Sequence, residues 1–171
     1  MNVKHLLFYS LIVSTAPSAA ISSEDPYMRG VRLLDAICIS SMFQEITFNA
    51  NAKHLGFASI DKNKLIHIDP SAKYGYEIEY DSETYISIFG EKTNGKQISK
   101  NCTITFKGTN HQRAQRMIES NFNFRKIETL RQGVTEISVY LGNLIGTNHQ
   151  SMIIIQSGHG FISYGIAQAP E

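Results

Sequence analysis

The chain of 171 residues contains two cysteines and nearly equal charges, sixteen Lys and Arg against fifteen Asp and Glu. Beyond its first twenty residues there is no apolar run that could span a bilayer, which takes about 20 residues. No low-complexity tract, internal repeat or Pro/Ser-rich linker divides it. Each absence excludes something. A near-neutral chain carries no electrostatic footprint for nucleic acid or anionic lipid. Two cysteines, Cys38 and Cys102, with no C-x-x-C pair rule out a disulfide-dense scaffold and a thioredoxin-like redox site.

What is present first is a leader, residues 1–20. Lys4 gives a positive n-region, Leu6 to Val13 a short apolar stretch, and Ser18-Ala19-Ala20 a small-residue end with Pro17 just before it. No cysteine follows that would take a lipid. The sequence thus predicts cleavage near Ala20 and a periplasmic or secreted product of bacterial type, with one domain over 21–171 and no membrane span in the mature chain. Losing Lys4 brings that product's formal charge from +1 to 0.

Periodicity predicts an α+β fold. Asp25 as N-cap and Pro26 at the first helical position open a helix whose stripe is Tyr27, Val31, Leu34, Cys38 and Met42. A more polar second helix carries Ile46, Ala50, Ala52 and Leu55, stopped by Gly56. From Tyr74 the period is two: Tyr76, Ile78 and Tyr80 alternate with Glu77, Glu79 and Asp81, and Thr84 to Phe89 is the antiparallel neighbour. Asn94-Gly95 suits a tight hairpin turn. The next strand points Cys102, Ile104 and Phe106 inward.

Thr109 and Gln112 have capping-box spacing ahead of a helix with Ala114, Met117, Ile118 and Phe122 on its stripe. Strands follow over 125–130, 134–141, 152–156 and 161–167, turning at Gln132-Gly133 and Gly158-His159-Gly160. Met152 to Ile155 is apolar at every position, which predicts a strand at the centre of the sheet, covered on both sides. The expected architecture is an N-terminal helix or helix pair and one middle helix packed on a largely antiparallel sheet of about five to seven strands.

Both cysteines fall on inward positions, so in an oxidising compartment Cys38 and Cys102 are expected to bond, stapling helix to sheet. Chemistry-bearing motifs are scarce. His54, His67, His111, His149 and His159 lack metal-ligand spacing; His111 reads as an exposed first-turn residue. Ser157 in Gln156-Ser157-Gly158-His159-Gly160 has its glycines misplaced for a nucleophile elbow and reads as a hairpin turn. Asp61-Lys62-Asn63 starts like a calcium loop without its glycine or closing glutamate. Asn101-Cys102-Thr103 matches a glycosylation acceptor but lies inside a strand. No catalytic, metal or cofactor site is therefore expected.

The strongest surface candidate is a hairpin patch of Tyr76, Glu77, Glu79, Tyr80 and Tyr85, since tyrosine is enriched where proteins meet. The functional expectation is an exported binding protein without catalytic activity, such as an inhibitor or immunity-type protein, whose partner is another protein in the cell envelope or outside the cell. Two alternatives stand beside it. One is an envelope hydrolase assembled from distant residues, with Glu77, Glu79, His149 or His159 as acid/base groups. The other is a small-ligand carrier.

Overall fold

The computed structural model describes residues 24–94, 97–144 and 150–168. Residues 1–20, expected from the sequence to be a leader, the residues between Asn94 and Gln97, and His149 lie outside them. Among the described residues, four α-helices accompany one eight-stranded, wholly antiparallel sheet. The α+β class holds; the sheet is wider than expected, and there is one more helix.

Helix α1 (Pro26–Leu33) starts as its sequence dictates, with the Asp25 Oδ1 accepting from the Tyr27 amide at 3.0 Å and Pro26 opening the first turn. It runs into a π-helical segment, Leu34–Ile39, that buries Leu34, Ile37 and Cys38. That wider turn ends the regular stripe. Met42 consequently lies outside the helix with φ 46° and is 50% exposed, and Phe43 is buried instead. In α2 (Glu45–His54) the buried side chains are Phe48 and Ala52, whereas Ile46 points to solvent. Gly56, at φ 83°, closes α2 as expected: its amide reaches the Lys53 carbonyl and that of Phe57 reaches Ala52.

After the two-residue strand β1 (Ala58–Ser59) comes α3 (Lys62–Ile68), which the sequence reading missed. Its cap is Asp61, whose carboxylate accepts from the Asn63 and Lys64 amides. The motif resembling a calcium loop is thus a helix cap.

Strands β2 (Ala72–Tyr80), β3 (Glu83–Asn94) and β4 (Gln97–Lys107) form one antiparallel meander. Asn94 pairs with Gln97, so Asn94 is the last strand residue and two residues connect the pair. Helix α4 (His111–Asn121) follows, then a second meander of β5 (Arg125–Gln132), β6 (Thr135–Asn143), β7 (Gln150–Gly158) and β8 (Phe161–Gln168). The strand order β1-β2-β3-β4-β8-β7-β6-β5 joins the meanders along the β4–β8 seam.

Helices α1, α2 and α4 and the π-helical segment cover one face. There Tyr85, Phe89, Ile104, Phe106, Tyr164 and Ile153 are fully or almost fully buried, with Phe106 stacked at 5.5 Å on Tyr85 and edge-on at 5.6 Å to Tyr27. Cys38 and Cys102 form a disulfide that ties the π-helical segment to β4, with Cα atoms 5.4 Å apart. Among the described residues, the opposite face carries only α3, at its β2–β3 end, through a small cluster of Ile60, Leu65 and Ile88. Strand β7 is interior, but it is not covered on both sides: Ile153 and Ile155 are buried while Met152 and Ile154 are half-buried on the second face.

Candidate functional site

The α4 cap sits one residue later than the capping-box spacing suggests. Asn110, not Thr109, is the N-cap, its side-chain oxygen accepting from the Arg113 amide at 2.9 Å. Positions 111, 114 and 118 share the inward face at helical spacing, and His111 is only 5% exposed rather than a surface residue. Tyr27 fixes this start from below, its hydroxyl accepting from the amides of Thr109 and Asn110 at 3.2 and 3.0 Å. An Arg113–Asp25 ion pair at 2.8 Å ties the two helix starts together.

His111 bridges two strands. Its Nδ1 is 2.8 Å from the Ser157 Oγ on β7, and its Nε2 is 2.8 Å from the Ser138 Oγ on β6. Ser138 in turn accepts from the Gln115 side-chain amide at 2.6 Å and contacts the Thr129 hydroxyl at 2.8 Å. Glu136, the cross-strand partner of Ser157, brings its Oε1 to 3.9 Å from Nε2 and is itself 3.6 Å from Arg131. Burial pushes the imidazole below its ordinary value of 6.5, with Glu136 opposing and Lys126 reinforcing the shift. His111 is therefore neutral at pH 7.

Two tautomers are open to a neutral ring here, and the Glu136 carboxylate 3.9 Å from Nε2 favours the one with its proton on that nitrogen. With the proton on Nε2, the N–H points toward two acceptors, the Ser138 oxygen and the carboxylate; with it on Nδ1, a bare lone pair faces that carboxylate. The first arrangement leaves Nδ1 free to accept the Ser157 hydroxyl proton.

A polar cavity of about 540 Å³ opens over this group, between the start of α4, Arg131 and Glu136, and the hairpin turn after Ser157. The turn is tight because His159 and Gly160 both take positive φ, 51° and 84°. The Gly160 carbonyl accepts from the Gly108 amide at 2.9 Å, locking the turn against the approach to α4.

The second candidate is the open sheet face. The register places Leu130 beside Ile137, Val139 beside Ile154 and Leu141 beside Met152 on the side away from α4. Leu130 is 43% exposed and the other five are half-buried, forming an apolar band across β5, β6 and β7. Strand β5 ends the sheet with all eight of its residues exposed.

The residues singled out from sequence do not share one surface. Tyr76, Tyr80 and Tyr85 point to the helical side, where Tyr76 and Tyr85 are buried and Tyr80 lies edge-on to Tyr85 at 6.1 Å. Glu77 and Glu79 point the other way, and Glu77 pairs with Lys64 of α3 at 2.7 Å. His54, His67 and His159 are exposed and scattered. Among the described residues, no three His, Cys, Asp or Glu side chains converge to hold a metal ion. The group that does converge is His111 with Ser138 and Ser157, and the reading of His111 as an exposed first-turn residue hid it. The helical spacing of His111 with Ala114 and Ile118 was a signal for its burial, while its pairing with Ser138 and Ser157 follows from the sheet register.

No protein-family model, curated protein or solved structure matches the chain.

Proposed function

We propose that this chain is an exported protein that works by holding another protein against the open face and free edge of its sheet, as an inhibitor of an envelope-directed enzyme would. The observation that carries the reading is the apolar band of Leu130, Ile137, Val139, Leu141, Met152 and Ile154 on the side of the sheet away from α1, α2 and α4. Contiguous apolar surface of this kind marks interaction sites in soluble proteins. Beside it, β5 is an edge strand among the described residues, and an extended segment adds to such an edge by strand pairing. Its Arg125, Lys126 and Arg131 outnumber Glu128, which favours a partner segment bearing acidic residues. Export is supported by the leader-like residues 1–20 and by a disulfide that needs an oxidising compartment to persist.

The test is site-specific photo-crosslinking in cells producing the full chain, with the reactive group at position 137 or 130, or at exposed Ile46 as control. One discrete protein adduct at 137 and 130, absent at 46 and abolished by Ile154→Lys, is expected. No adduct, the same adducts from position 46, or an adduct of twice the chain's mass would overturn the reading.

A further inference from the structure

We propose that the cavity beside α4 is a second, catalytic site, in which Ser157 is an acyl-accepting nucleophile, His111 its general base, and an ester of a small polar carboxylic acid the substrate. The Ser157–His111 contact at 2.8 Å is the hydrogen bond that nucleophilic activation requires. The chemistry uses the tautomer with its proton on Nε2, 2.8 Å from the Ser138 oxygen and 3.9 Å from the Glu136 carboxylate, which leaves Nδ1 as the acceptor. Both Ser157 and His111 line the cavity, so the pair meets a ligand despite its burial. His111 and Gln112 line the same cavity from the first helical turn, where amides have no carbonyl partner within the helix, which makes their N–H groups the candidates to stabilise a developing oxyanion. Thr109, Asn110, Gln112 and Arg131 around the rim suit a polar acyl group rather than a fatty one.

The chemistry closes without any further group. The Ser157 Oγ attacks the ester carbonyl carbon while its proton passes to His111 Nδ1. The carbonyl–alkoxide bond then breaks, and the alkoxide leaves with that proton as the alcohol. Water adds to the acyl-serine, giving a proton to His111, and the bond to Ser157 breaks as the hydroxyl is restored; ester and water have become acid and alcohol. This site faces the helical side of the sheet, so it stands or falls independently of the partner-binding face.

A fluorophosphonate probe tests it on the purified chain, since Ser157 would displace fluoride and retain one phosphonyl group. One adduct by intact mass, mapped to Ser157, absent in S157A and formed about 100-fold more slowly in H111Q, is expected from the usual worth of a general base. S157A removes one hydroxyl only, and thermal unfolding of each variant separates lost chemistry from lost fold. No adduct on the folded chain, an adduct elsewhere, or a folded H111Q that reacts as fast as the parent would overturn the assignment.

Discussion

Gly30 of α1 lies so close to Phe106 of β4 that a Cβ on it would come 2.5 Å from the ring's Cε1 and 2.9 Å from Tyr164. The bare glycine lets the helix settle onto the aromatic centre of the core, where Phe106 and Tyr164 rings are 5.4 Å apart. Gly30→Ala should therefore destabilise the protein by about 1–3 kcal/mol through overpacking, although alanine favours a helix by nearly 1 kcal/mol. A denaturant midpoint equal to or above the parent's would show that α1 can move outward at no cost.

The Cys38–Cys102 bond closes a loop between residues 64 apart in sequence. Chain entropy for such a loop amounts to about 4 kcal/mol of stability. Cys38→Ala with Cys102→Ala should lower the unfolding free energy by up to that amount, and reduction of the parent should do the same. Two reactive thiols in denatured, unreduced protein from its native compartment would show that the bond does not form there.

Neighbouring isoleucines on β7 report on the two faces of the sheet. Ile153 is fully buried under the helices, so Ile153→Ala should cost about 2–5 kcal/mol. Ile154, half-buried on the open side, should cost about 1–2 kcal/mol when cut to alanine, because part of its area already meets water. Equal losses in urea unfolding would mean that something covers the open face of the isolated chain.

Burial holds the His111 imidazole below its ordinary 6.5 in the fold, so the unfolded chain binds this proton more readily. Neutral His111 thus contributes fully above about pH 7. Its contribution falls as the pH drops through the unfolded value near 6.5 and levels off beneath the folded one. Relative to His111→Asn, the parent should lose stability in urea titrations as the pH is lowered from about 7 through the unfolded value. A pH-independent difference would place the imidazole at its ordinary value.

Where one physical signal dominated, the sequence was readable. Asp25-Pro26 announced α1, the alternation from Tyr76 to Tyr80 gave β2, and Cys102, Ile104 and Phe106 fixed the inward face of β4. The errors came where signals competed. In α3 one buried residue, Leu65, sits among Lys62, Asn63, Lys64 and His67, too little apolar surface to betray a helix. Met152 and Ile154 read as core because an uncovered apolar face has the composition of a covered one. The Ser157–His111–Ser138 group joins residues 46 and 27 positions apart, and only the sheet register brings them together.

The β4–β8 seam has a consequence for how the protein is made. Strand β8 fills the slot between β4 and β7, although it follows both of them in the chain. Until residues 161–168 emerge, the two meanders have no shared partner, and β4 and β7 each present an unpaired edge. The two halves of the sheet thus stay unjoined in a growing chain until β8 has followed β7.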